Sequence, residues 1–415
     1  MEVPCEFSVE AAPSLAIPTV GIVTWSTTLS SLTSAQIRFG LASTGPTMTA
    51  PVDLTQPGYR TLLLGMKASQ TYVYRIVATG SDGTCTSPNY AILTGPLAAN
   101  VPMPVVTNMN PAAHAKGFIV TSSGIAGTWS YILDADGDPV WWATGPQASS
   151  RAAMSWDGQD MYVMALNVQN AGGEVWRMSM DGTTREKLAG LETAHHDLTA
   201  IPGGIATILW NAPGLDAHCS LVERSASGAL TTVIADLNNV YNSNTFHANA
   251  LHYYPQDDSY TISDRNPNLF VKVTRRGQLV WQFGGTNPKD ESKFFSGASW
   301  QVNHGHQLLP SGNFLFFNNG SIATAGVAGL SSAREYQLDM ATMKATLVWS
   351  YAADKINSMV LGDVQRLPNG NTLVTFSSMG AIHEVAPNGQ LVMSLKSNQF
   401  GYATWRDTLY GPPPR

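Results

Sequence analysis

The 415-residue chain reads as all-β. The sequence predicts an immunoglobulin- or fibronectin-like sandwich over residues 1–100, then a six-bladed β-propeller over residues 101–415. Three observations predict this. The first hundred residues hold short alternating strands with little helical period, a strand–turn–strand unit recurs six times after residue 107, and 37 Gly and 24 Pro are dispersed as turn residues rather than clustered.

In the N-terminal part, Gly21–Ser26, Ser34–Phe39, Arg60–Leu64 and Thr71–Val77 alternate apolar and polar residues between turn clusters. About seven such strands in about a hundred residues fit a sandwich. The stretch Leu93–Pro104, rich in Pro and Ala, reads as a linker. Beyond it the unit appears at Tyr131–Trp142, Val175–Gly182, Leu221–Gly228, Phe270–Trp281, Glu335–Thr342 and Ile382–Gly389. Its turns fall at 137, 182, 228, 277, about 342 and 389, a blade-like spacing with one longer interval. A second element precedes many copies, clearest at Leu308–Phe317 and Leu367–Val374 and weaker at Ala200–Gly204 and Tyr254–Asp258. The period argues against a β-helix or paired sandwiches.

Composition narrows the function. Net charge is −6 and the densest basic cluster is the pair Arg275-Arg276, so no nucleic-acid partner is expected. No apolar run is long enough to span a bilayer. Cys5, Cys85 and Cys219 lack metal spacing; a Cys5–Cys85 bridge and three free thiols are both open readings. No leader is visible at Met1. The chain has no GxSxG elbow, no phosphate loop, no dinucleotide fingerprint and no repeat-equivalent carboxylate pair, so no cofactor is expected.

The nine histidines carry the signal. His195, His196, His247, His252, His304 and His306 lie just before the second repeat element. His196 stands eight residues before Gly204 and His304 eight before Gly312. Equivalent positions in different blades surround one axis, so these imidazoles are expected at one mouth of a channel, with Asn249 of the His-Ala-Asn run and with Arg265 eighteen residues after His247. His252 and His306 alternate with their neighbours and read as structural, as do His114, His218 and His383. Several imidazoles beside a guanidinium call for an anion. A zinc site is not expected, since HExxH and CxxC are absent and an Arg would repel the ion.

Ala194–Leu198, Phe246–Leu251, Ser263–Asn266, Asn303–Asn313 and Phe317–Gly320, with the tail Phe400–Tyr410, resemble the arylsulfate sulfotransferase family over nearly the whole chain. The resemblance implies transfer of a sulfuryl group from an aryl sulfate donor to a phenolic acceptor without a nucleotide, ping-pong through a sulfohistidine. It places the nucleophile on His304 and other catalytic groups on His196, His247 and Arg265. Asn249 and His306 are expected at the substrate, and the His-Gly-His run makes His306 a substitute nucleophile. Many members have Asp-Asn-Gly where this chain has Asn318-Asn-Gly320. The resemblance leans toward export, and an edge strand of the sandwich offers a homodimer contact. Two other readings stay open: a propeller that binds a ligand without turnover, and an aryl sulfate hydrolase.

Overall fold

The computed structural model describes residues 1–414 except 168–171, 212–217 and 321–328. The all-β expectation is met. Helix is confined to four three-residue 3-10 turns among the described residues, and no helix is long and apolar enough to cross a membrane.

The N-terminal strands form two sheets. Phe7–Pro13, Gly21–Thr27 and Thr61–Leu63 make one; Leu32–Leu41 and Thr71–Gly80 anchor the other, with Met48–Pro51, Gly83–Thr86 and Tyr90–Leu93 beside them. Alternate side chains, among them Val23, Trp25, Ile37, Phe39, Tyr74 and Ile76, point into one shared core. Cys5 is bonded to Cys85, which resolves the open question about that pair.

Six further sheets are antiparallel meanders, one of them extended by the short strand Phe294–Phe295 running parallel to Leu279–Gly284. The first strands of five of them are Ser149–Met154, Ala194–Ile201, Ala248–Tyr254, Asn303–Leu308 and Asp363–Arg366; the sixth takes its inner strand, Ala403–Arg406, from the end of the chain. Each inner strand packs against the next, and Ala403–Arg406 packs against Ser149–Met154. The arrangement is β-propeller-like, and the chain secures it twice. Ala403–Arg406 pairs with Phe118–Ser122, and Val105–Asn108 adds an outer strand beside Leu391–Lys396.

All six turns read from the repeat join the third and fourth strands of a sheet, counted outward. Gly137, Gly182, Gly228, Gly277 and Gly389 have φ between 73° and 96°, and Met343 (φ 51°) serves in the fifth sheet. Glycine enters this left-handed region without steric cost. The longer interval before 342 arises from the segment between Gly284 and Asn303, which carries the added strand Phe294–Phe295.

The N-terminal sheets are pinned to the rest by polar contacts. Ser14 Oγ donates to the Asp181 carbonyl at 2.6 Å, Thr19 Oγ1 to the Val140 carbonyl at 2.7 Å, and Tyr410 joins Leu62 and Leu64 through its hydroxyl. Asp134, Asp136 and Asp138 could together hold a metal ion, but Lys67 Nζ lies 3.2, 2.7 and 2.6 Å from their carboxylates. A tethered ammonium thus balances that charge.

Candidate active site

Three neighbouring inner strands break register near the same end. The irregularities fall between Ala194 and Leu198, between Ala248 and Ala250, and between Asn303 and His306. A bulge bends a strand and re-aims the residues left unpaired. Those residues are His195, His196 and Asp197 in one strand, Asn249 in the next, and His304 with Gly305 in the third. His196 itself is left-handed, with φ 61°. By register Ala194, Ala248 and Asn303 are counterparts before the bulges and Leu198 and His306 after them, so His304 is level with His195 counted from one side and with His196 counted from the other.

His304 is buried, and its Nδ1 lies 2.6 Å from Asn319 Oδ1. The Asn319 amide nitrogen donates to the carbonyls of Ser358 and Leu361, each at 2.7 Å, so Oδ1 is the atom facing the ring. Nδ1 must then carry the proton, and Nε2 keeps its lone pair. Burial pushes the His304 pKa down to about 3; the bond to Asn319 opposes this, while Arg265 and His247 reinforce it. The ring is therefore neutral and presents a nucleophilic nitrogen.

Neighbouring contacts fix that ring in space. Asn303 receives Trp300 Nε1–H at 2.8 Å, donates to Ser263 Oγ at 2.7 Å, and accepts from Asn249 Nδ2 at its carbonyl at 2.7 Å. Gly305 has a different role. A Cβ there would sit 2.0 Å from Asp363 Oδ1 and 2.8 Å from Asp363 Cα, so no other residue allows this strand to approach the next inner strand. Gly305→Ala is expected to lower stability by about 1–3 kcal/mol, as overpacking does. Denaturant unfolding checks this, and an unchanged midpoint contradicts it.

His196 and His247 meet through their Nε2 atoms at 3.2 Å, and His195 reaches His196 through Nδ1 at 2.8 Å. His195 stacks on Trp210 with centroids 3.8 Å apart, and its Nε2 lies 3.8 Å from Cys219 Sγ. Burial first, then His247, depresses the pKa values of His195 and His196 well below the ordinary histidine value; His304 and Arg265 add to the effect on His196. The three rings form a hydrogen-bonded row able to pass a proton.

Arg265 follows Asp264, whose carboxylate accepts from Tyr241 OH at 2.6 Å and from His247 N–H at 2.9 Å. The Arg265 backbone N–H donates to the His247 carbonyl at 3.3 Å, while its side-chain Nε is buried without a partner. Asn249 is fully buried, with Oδ1 likewise unpartnered. An unpaired donor and an unpaired acceptor near a neutral nucleophile leave room for a polar ligand to satisfy both.

The structure brings together His196, His247, Asn249, Arg265 and His304, and does not bring His306 to them. His306 Nε2 lies 2.7 Å from Thr261 Oγ1, and its ring packs among His252, Phe270 and Phe314. The bulge at His304 and Gly305 puts the two histidines of His-Gly-His in different surroundings. His114 (with Glu384 and the Ala135 carbonyl), His218 (with Asp236) and His383 (with Tyr351) have the structural partners expected of them.

Sequence reasoning missed a charged floor beneath the site. Arg151 Nε lies 2.6 Å from Asp197 and its Nη1 2.9 Å from Asp363, with the guanidinium 4.3 Å over the Tyr402 ring. Tyr402 OH donates to the Asn249 carbonyl at 2.5 Å. Burial, with Asp197 adding repulsion against the pull of Arg151, raises the Asp363 pKa to about 6. Nothing in the spacing marks this cluster, because its members come from three different sheets and from Tyr402, just ahead of the inner strand of a fourth.

These shifts set a pH dependence. Burial lowers the pKa values of six histidines: His195, His196, His252, His304, His306 and His383. Below about 6.5 the unfolded chain takes up protons that the folded chain refuses, so stability present above that pH is lost as pH falls. Asp363 works the other way, since its raised pKa favours the fold at low pH and that contribution is lost as pH rises through about 6. His114, Asp134, Asp160 and Asp197, whose pKa values are also raised, act in the same direction as Asp363, and the six lowered histidines outnumber these five groups. The Tm is expected to fall between pH 7 and pH 5, and a Tm that is flat or rising over that interval contradicts the assignment.

Residues 217–400 match the arylsulfotransferase (ASST) family model. Over that stretch the chain is similar to the arylsulfotransferase family. The arylsulfotransferase segment is somewhat under half of the chain and contains His247, Asn249, Arg265, His304 and Asn319, while His196 lies ahead of it. The chain matches no curated protein. Among solved structures it is similar, at 10% identity in each case, to a protein of unknown function from Bacteroides caccae (TM-score 0.46, covering 70% of this chain and 98% of that one) and to TolB from Acinetobacter baumannii (TM-score 0.46, 83% and 80%). It is also similar to virginiamycin B lyase from Staphylococcus aureus, at 10% identity and TM-score 0.40, covering 94% of this chain and 99% of that one. At these TM-scores the likenesses are weak.

Proposed function

We propose that the chain is a nucleotide-independent aryl sulfotransferase. In this reading residues 1–100 form an immunoglobulin-like sandwich and residues 101–415 a six-bladed propeller whose channel holds the site. The match of residues 217–400 to the arylsulfotransferase family model supports the activity class. The observation that carries the mechanism is the His304 ring, neutral and held by Asn319 with Nε2 free.

In the first half-reaction Nε2 attacks the sulfur of an aryl sulfate, the S–O bond to the ring breaks, and the electron pair leaves on the phenoxide. The arriving anion raises the proton affinity of the neighbouring imidazoles, so His196 or His247 can hold a proton and give it to that phenoxide. N-sulfonated His304 keeps its Nδ1–H on Asn319. Arg265, with an unsatisfied Nε, supplies positive charge to the sulfuryl oxygens where charge builds. In the second half an acceptor phenol loses its proton to the same imidazole row, its O–H oriented by Asn249 Oδ1, and attacks sulfur. The N–S bond then breaks and His304 returns neutral.

Product analysis tests the reading. With an aryl sulfate and a second phenol, the protein is expected to yield the sulfated second phenol in proportion to phenol released. Release accompanied only by inorganic sulfate identifies a hydrolase, and absence of release identifies a binding protein. We also place the protein outside the reducing cytosol, on the strength of the Cys5–Cys85 bond. Cell fractionation checks this, and a cytosolic location with both thiols reduced overturns it.

A further inference from the structure

A cavity of about 600 Å³ lies beyond the Arg151–Asp363 floor, and none of His196, His247, Arg265 and His304 lines it. Its walls continue the same inner strands. Thr199 and Ala200 follow the histidines of one strand, Leu251 to Asp257 follow Asn249, and Gln307 to Pro310 follow His304. The volume is that of a small-molecule site rather than of a packing defect.

The lining is amphipathic. Trp156, half-buried, meets Tyr253 edge-on with centroids 6.1 Å apart, giving one aromatic wall. Of the cations, Arg151 is matched by Asp197 and Asp363, and Lys272 Nζ by Asp257 at 2.5 Å. Arg406 differs. It is 3% exposed, and among the described residues its guanidinium meets only carbonyls: Thr408 at 3.0 Å from Nε, Gly411 and Pro412 at 2.6 and 3.1 Å from Nη2. A buried guanidinium with no carboxylate in hydrogen-bond contact, helped only through space by Asp407, is poorly compensated, which is costly unless an anion joins it. Burial accordingly pushes the Arg406 pKa down to about 10, against the opposing pull of Asp407. On another wall, His252 Nε2 is buried without a partner.

We propose that this cavity is a second binding site, separate from the histidine site, for an aromatic anion whose ring lies against Trp156 and Tyr253 and whose acidic group faces Arg406. The site stands on its own residues, whether or not sulfuryl transfer occurs at His304.

The probe is 1-naphthalenesulfonate, which has no aryl S–O bond to cleave, so binding is read apart from turnover. Calorimetric titration of the full chain is expected to show saturable binding. Trp156→Ala and Arg406→Leu should each weaken it roughly tenfold or more, the usual effect of losing an aromatic or arginine anchor. Neutral 2-naphthol should bind at least about tenfold more weakly, and Arg265→Ala should leave binding unchanged. Should Arg406→Leu fail to fold, Trp156→Ala decides the matter alone. Absence of binding at millimolar probe, full affinity in Trp156→Ala, or a loss of affinity in Arg265→Ala each overturns the proposal.

Discussion

His304→Ala is expected to lower phenol release from an aryl sulfate by more than roughly 10³-fold, because the bond-making atom itself is gone. The expectation rests on one tautomer. Asn319 spends both amide hydrogens on the Ser358 and Leu361 carbonyls, so it can only accept from His304, and the lone pair is left on Nε2. Asn319→Ala removes that constraint and leaves a buried N–H unpaired, which should cost on the order of 10–100-fold in rate. The two variants therefore differ in degree, since one loses the nucleophile and the other its orientation. Steady-state assays on aryl sulfates separate them. Wild-type rates in His304→Ala would remove it from the mechanism, and wild-type rates in Asn319→Ala would remove the tautomer argument. His306 packs against Phe270 and Phe314, so His306→Asn should retain phenol release wherever the fold survives.

Arg265→Ala should cost roughly 2–4 kcal/mol of transition-state stabilisation, the effect of losing a donor aimed at developing oxyanion charge. That corresponds to about 30- to 1000-fold in kcat/KM. The side chain is suited to the task because its Nε has no competing partner and because it acts electrostatically on both His304 and His196. A ground-state binding role would instead raise KM and spare kcat. A fall in kcat is the result expected here; a change confined to KM contradicts the transition-state role.

The sequence carried the repeat well, because each outer turn needs a left-handed residue and five of six positions are filled by glycine. The histidines were legible for a related reason, since a strand that recurs in every sheet brings the same stretch to the same end. Register was less legible. Distance to a glycine does not by itself give register, because the bulges hold different numbers of unpaired residues in the strands of His196 and His304. Asn319 was visible only as the matching middle residue of an Asp-Asn-Gly motif whose first position is Asn318 here, and its meaning needed the two carbonyls that orient it. The Arg151, Asp197, Asp363 and Tyr402 cluster left no local pattern, because ion pairs between distant strands have no fixed spacing. Gly305 reads as an ordinary small residue until Asp363 is seen against it.

The central claim is that a sulfuryl group rests on His304 between donor and acceptor. Intact mass measured after mixing the protein with excess 4-nitrophenyl sulfate, with no acceptor present, tests it most directly. The account predicts a burst of nitrophenol and a protein heavier by one SO3, with neither seen in His304→Ala. Steady nitrophenol release without an adduct, or an adduct that persists in His304→Ala, would contradict it.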